Sequence, residues 1–169
     1  MDVMKFRDSQ APLRERYTKD AKAAFLTLKS QGTLGDSTVT CKVETGRGLA
    51  TAGIHPKCGG SGLDLCSGDM LLEALVACAG VSLKAAATML DVELKSATVS
   101  AEGDVDLRGT LGVAEDVPVG FKEIRLRFDI ESDAPPQKRD ELLQLVERYC
   151  VIFNTLQNSP RTDVAMEQR

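Results

Sequence analysis

The sequence predicts an α+β domain, with antiparallel strands and grouped helices around one long apolar helix. Three observations predict it. Phe121 to Ser132 alternates Ile124, Leu126, Phe128 and Ile130 with Glu123, Arg125, Arg127 and Asp129, the period-two pattern of a strand with one face buried. Asp69 to Leu90 carries only Glu73 and Lys84 as interior charges. The element order is helix, hairpin, long helix, two strands, two helices, strand, which is not the regular alternation of a parallel α/β sheet.

The first element spans Pro12 to Ser30, where Ala21, Ala23, Ala24, Leu26 and Leu28 favour a helix and Gly32 offers a stop. Thr38 to Glu44 is rich in β-branched residues at alternate positions and predicts a strand. Thr45-Gly46-Arg47-Gly48 is its turn, and Leu49 to Ile54 the return strand. His55 to Leu65 holds three Gly and one Pro and predicts a loop. Ser67 is placed to cap the long helix, with Asp69 in its first turn, where a negative charge meets free backbone N–H groups. Val92 to Asp104 predicts a strand, Leu107 to Gly120 a connection, and Pro135-Pro136 opens a helix over Gln137 to Arg148. A short helix over Cys150 to Leu156 and an edge strand over Thr162 to Met166 complete the order.

With 169 residues, 43% hydrophobic and 27% charged, the chain is long enough to bury a core. Aromatic residues are 4% and Trp is absent, so that core is aliphatic. A net charge of −4, with no basic run longer than two residues, argues against a nucleic-acid partner. Met1 to Gln10 lacks an apolar leader segment, and the longest uncharged run of the apolar helix, Ala74 to Leu83, is short for a membrane span. The expectation is a cytoplasmic protein with no membrane association.

Five cysteines, Cys41, Cys58, Cys66, Cys78 and Cys150, are an odd number, which argues against a disulfide framework. Glu73 and Lys84 stand about three turns apart and share one stripe of the long helix, with Cys78 roughly 140° away. Leu71, Leu75, Ser82, Ala85 and Met89 share the side of Cys78, which is predicted to be the buried one. So narrow a polar stripe suggests a helix packed nearly all round and shared with a second subunit. A buried Cys is commonly a small inert hydrophobe. What sets Cys78 apart is a second thiol in a similar setting, Cys150, between LLQLVERY and VIFNTL.

SGDMLLEALVACAGVSLKAAA, around Cys78, resembles the Ala-rich helix of the OsmC/Ohr family. ERYCVIFNTL resembles that family's second motif, in which a Cys is followed four residues later by Asn; here these are Cys150 and Asn154. The resemblance implies an N-terminal helical extension over residues 1–36 and one OsmC-like domain over 37–169, with an antiparallel sheet, a long buried central helix and an intertwined homodimer. It also implies thiol-dependent reduction of organic hydroperoxides, with an external dithiol as reductant and no metal or other cofactor. Cys78 would be the peroxidatic thiolate and Cys150 the resolving thiol. Arg47 would stabilise the thiolate, and Asp69 would orient Arg47. Two positions depart from the family pattern: Gly68 stands where a Glu is usual, and Val151 where Pro often follows the second Cys.

The chemistry explains the residue types. Only the thiolate is a good nucleophile toward peroxide, and burial alone raises a thiol pKa, so a cation is expected near Cys78. Attack gives a sulfenic acid, which a second thiol must capture before further oxidation. Leu71, Leu75, Met89 and Phe153 would line an apolar pocket suited to alkyl or lipid hydroperoxides. Two other readings stand beside this one. His55, Cys58 and Cys66 could offer metal ligands, though structural zinc sites favour paired short spacings. A non-enzymatic dimer could bind a small apolar ligand at its interface. A Ser-His hydrolase is excluded, since the one His, His55, lies in a loop without a nucleophile motif.

Overall fold

The structure, a computed structural model, describes residues 12, 14–24, 26–27, 32–34, 40–45 and 48–167, with the side chains of 21–22, 32–34 and 40–45 excepted. The chain divides into two compact units. The first runs to Met70 and adds Asp106–Gly120; the second is Leu71–Val105 with Phe121–Arg169.

In the first unit, residues 14–19 are helical (α1) and a 3-10 turn follows at Ala21–Ala24. The remainder of the predicted Pro12–Ser30 helix is not helical at 26–27, and 28–30 lie outside the described residues. Strands β1 (Gly32–Leu34), β2 (Thr40–Thr45), β3 (Gly48–Gly53) and β4 (Leu65–Cys66) form one sheet in that order. The first two pairings are antiparallel, with Cys41 opposite Ala52 across β2 and β3. The last is a two-residue parallel pair, Ala52 to Leu65 and Gly53 to Cys66, placed by the Gly-rich loop between its strands. In that loop His55 caps a 3-10 turn, Pro56–Cys58, by accepting the Lys57 N–H on its imidazole Nδ1 at 3.1 Å.

Helix α2 is Ser67–Met89, so Ser67 is its first residue rather than its cap. Its 23 residues meet the length and composition of a membrane span, more than the run Ala74 to Leu83 suggested. One face of it packs on the protein. Leu75, Ala79, Leu83, Ala86 and Ala87 form a buried row, spaced by three or four residues as one helix face requires. In the second unit, the row from Ala79 onward packs with Val92, Leu142, Val146 and Cys150 in one cluster. Helix α3 (Leu107–Thr110) is a single turn in the first unit, capped by Asp106, which accepts the Arg108 N–H.

Strands β5 (Ser96–Val105) and β6 (Phe121–Glu131) pair antiparallel as a separate two-stranded sheet. The alternation read from the sequence holds. Val99 faces Phe128, Ala101 faces Leu126 and Ala97 faces Ile130, and Val99, Leu126, Phe128 and Ile130 pack on the core. On the other face Arg125 is ringed by Asp104, Glu102 and Glu123. The strand begins later than Val92 because Val92 is drawn into the core under the end of α2. Helix α4 (Pro136–Tyr149) buries Leu142 and Val146, and Lys138 donates to the Leu90 carbonyl at 2.9 Å, tying α4 to the end of α2. Helix α5 (Val151–Gln157) follows after a one-residue break at Cys150. Residues 162–166 form no strand and are exposed, so the predicted last edge strand is absent.

Candidate functional site

Cys78 and Cys150 meet in the second unit. Cys150 is fully buried, and Cys78 is half-buried against the same core cluster. The sequence placed Cys78 on the buried face with Leu71, Leu75, Ser82, Ala85 and Met89. Leu75 is buried as expected, but the buried row continues through Ala79 and Leu83, while Leu71 and Met89 are exposed. An Ala-rich helix with few charges has apolar residues on several sides, so its pattern alone does not fix which side packs. The consequence is chemical: Cys78 lies at the rim of the buried row, in contact with the core yet not sealed by it.

Cys150 is the break between two helices. Its backbone has φ −72° and ψ 109°, outside the helical region. Its N–H still bonds the Val146 carbonyl at 2.9 Å, completing α4, and its carbonyl accepts the Asn154 N–H at 3.0 Å, opening α5. The break leaves the N–H groups of Val151, Ile152 and Phe153 without helical partners, as at any helix start.

Both sulfurs lie beside this helix start. Burial pushes the Cys78 thiol up, but the neighbouring Ile152 N–H, Cys150 thiol, Val151 N–H and Ser82 hydroxyl favour its charged form and together hold its pKa below the ordinary value. Cys150 moves the opposite way. Burial raises it, the Phe153 N–H offsets part of that, and the neighbouring Cys78 sulfur, which favours a protonated partner, raises it further. The pair is therefore ordered, with Cys78 the more acidic thiol and Cys150 the one that keeps its proton.

The requirement for a cation thus has another answer: backbone N–H donors at the start of α5 favour the thiolate. Arg47 lies outside the described residues. Asp69 is exposed in the first turn of α2, as the sequence predicted, and belongs to the first unit. Sequence reasoning missed Val151 and Ile152 because a backbone donor has no side-chain signature. It had placed Ser82 beside Cys78, and the structure supplies the role. Cys58 and Cys66 are half-buried residues of the first unit, and Cys66 pairs through its backbone with Gly53. Among the described residues no group of three or more His, Cys, Asp or Glu could hold a metal ion.

On the outer side of the α4–α5 break an open groove of about 450 Å³ is lined by Arg148, Tyr149, Val151 and Asn154, with Thr155, Asn158 and Pro160. The Arg148 guanidinium lies 5.3 Å from the centre of the Tyr149 ring, a cation–π contact.

A family model described as OsmC-like protein matches residues 60–165, which include both cysteines and the elements that position them. The chain belongs to the OsmC-like protein family. Solved OsmC-like structures share its fold at low identity. An OsmC-like protein from Mycoplasma pneumoniae superposes with a TM-score of 0.66 at 19% identity, covering 79% of this chain and 89% of that one. An organic hydroperoxide resistance protein from Elizabethkingia anophelis gives 0.64 at 15% identity, covering 80% and 91%. An organic hydroperoxide resistance protein OsmC from Legionella pneumophila gives 0.61 at 15%, covering 80% and 92%. No curated protein matches the chain in sequence. The α+β, OsmC-like class predicted from the sequence is thus the observed one, with its strands divided between two sheets.

Proposed function

We propose that this OsmC-like protein is a thiol peroxidase that reduces organic hydroperoxides through Cys78 and Cys150. The observation that supports it most is two thiols brought against one apolar cluster, with the Cys78 pKa held below its ordinary value and that of Cys150 above it. The Cys78 thiolate attacks the distal oxygen of ROOH. The O–O bond breaks, the S–O bond forms, and RO⁻ leaves and takes up a proton to give ROH, so the sulfur is oxidised to sulfenic acid and the peroxide reduced. The Cys150 sulfur then attacks the Cys78 sulfur; the S–O bond breaks, water leaves, and a disulfide forms. An external dithiol reduces that disulfide by exchange and restores both thiols.

The donors act where charge matters. In the reduced protein they favour the thiolate, and they need no reorganisation as its charge departs onto the leaving oxygen. Cys150, held protonated, does not compete as nucleophile but stands in contact for the second step. The apolar cluster that Cys78 packs against, with Leu83, Leu142 and Val146 in it and Phe153 beside it, suits an alkyl or lipid R group better than a hydrated peroxide. A cycle through free thiols suits the reducing cytoplasm.

The protein acts as a homodimer in this proposal. In support, the α2 side chains Leu71 and Val81 are exposed in the single chain, Val81 at 73%, an apolar surface that water alone covers poorly. Light scattering should give twice the mass of one chain, and Val81→Glu should return a folded single chain.

The deciding experiment treats reduced protein with one equivalent of cumene hydroperoxide and counts free thiols. The expected result is loss of two thiols per chain, abolished by Cys78→Ser. No loss of thiols would refute the peroxidase and leave a dimer that binds a small apolar ligand, its cysteines merely packed.

A further inference from the structure

In an uninterrupted helix the Val151 N–H would bond the Glu147 carbonyl, four residues earlier, and the Ile152 N–H would bond the Arg148 carbonyl. The break at Cys150 takes both N–H groups out of that ladder and leaves them beside the Cys78 sulfur, whose charged form they favour. The carbonyl that Val151 has vacated is then one of the orphan acceptors at the exposed end of α4, open to water or to a protein donor. The Asn154 side-chain amide is that donor. Its Nδ2 donates to the Glu147 carbonyl at 2.7 Å and to the Cys150 carbonyl at 2.8 Å. Both amide hydrogens are spent, one on each side of the break. The backbone N–H of the same residue bonds the Cys150 carbonyl as well, so Asn154 grips the Cys150 peptide twice.

Asn is a poor choice inside a helix on propensity alone, since its short amide competes with the helical ladder. Here that competition is put to use. We infer that Asn154 is a positioning residue for Cys78: its amide replaces the Val151 N–H at the Glu147 carbonyl, and thereby frees Val151 and Ile152 to donate to the Cys78 sulfur. Asn154 does not touch the reacting sulfur. It acts through the backbone of Val151 and Ile152, and the four-residue spacing from Cys150 follows, because a side chain one turn into α5 is the one that reaches back across the break.

The proposal deepens the peroxidase reading but is tested without peroxide. The pH midpoint of Cys78 alkylation by iodoacetamide is measured in the full chain by mass spectrometry of the peptide that carries Cys78. The variants are Asn154→Leu, which keeps volume and loses both donors, and Asn154→Ser, whose hydroxyl can reach only the Cys150 carbonyl, as Thr155 reaches Val151 at 2.9 Å. Asn154→Leu should raise the midpoint by about one pH unit, the scale on which hydrogen bonds to a charged group move a pKa. Asn154→Ser should fall between it and the parent. An unchanged midpoint in either folded variant, even with a lowered Tm, would overturn the inference and leave Asn154 a stabilising residue alone. If Asn154→Leu does not fold, Asn154→Ser decides by the same measure. A raised midpoint in a protein that consumes no cumene hydroperoxide would uphold the inference and refute the peroxidase; an unchanged midpoint in an active peroxidase would do the reverse.

Discussion

Two regions meet at the sulfur pair: the rim of the α2 packing row, which carries Cys78, and the break between α4 and α5, which carries Cys150. Both residues contact one aliphatic cluster, yet one thiol is made more acidic and the other less. Burial therefore does not rank them, since it pushes both upward. The ranking comes from the polar groups at the break. The Ile152 and Val151 N–H groups and the Cys150 thiol favour charge on Cys78, while at Cys150 the Phe153 N–H offsets only part of the rise that burial and Cys78 impose. A helix start thus confers acidity on a residue of another helix, and the residue at the start itself pays with a sulfur that holds its proton.

The most severe way to break this asymmetry is to delete either sulfur. Cys78→Ser should slow the consumption of cumene hydroperoxide by at least about a thousandfold, as loss of a nucleophile does. Cys150→Ser should leave the first turnover intact and trap sulfenic acid on Cys78, detected by dimedone labelling; normal cycling of this variant would show that a different thiol resolves. Next in size is Leu142→Ala, which opens a cavity in the cluster around Cys150. Urea unfolding should show a loss of about 2–5 kcal/mol, and alkylation of native Cys150 should quicken more than that of Cys78. Gly103→Ala brings a methyl to 2.4 Å from the Phe121 ring, on the β5–β6 sheet. A loss of about 1–3 kcal/mol, with the order of alkylation preserved, would separate general destabilisation from the pairing of the thiols.

The smallest effect is the dependence of stability on pH. For Cys78 the folded pKa lies below the unfolded one, so its contribution is complete above about 8.5 and is lost as pH falls through the folded value. For Cys150 the folded pKa is raised, so its contribution is present below about 8.5 and lost as pH rises through the folded value. In urea unfolding from pH 7 to 10 under a phosphine reductant, Cys78→Ser should lose more stability with rising pH than the parent, and Cys150→Ser less. Parallel curves for the two variants would remove the distinction between the thiols.

Much of this was legible in the sequence, and the illegible part has physical causes. The strand β6 was placed from its alternation because one face is apolar and half-buried and the other carries Arg125, Arg127 and Asp129. Helix α2 was legible from its lack of charge, but its packed side was not, because alanines on every side blur the pattern. The parallel pair of β3 and β4 is only two residues long and sits beside glycines, where period two has no room to show. The pair of cysteines was found from its two motifs. The donors that distinguish its members were not, since Val151 and Ile152 act through peptide N–H groups that any residue but proline carries. That exception gives the departure at Val151 a meaning: a proline there would have no N–H to offer Cys78.

Because its amide completes one helix and its carbonyl begins the next, Cys150 is pinned from both directions along the chain. Such a residue can reposition its sulfur only by rotating about Cα–Cβ, unless a helix end unravels. In the peroxidase cycle proposed above, Cys150 would then close and open its bond to Cys78 by side-chain torsion, and crystals of the oxidised and reduced chain should superpose along α4 and α5 without a hinge.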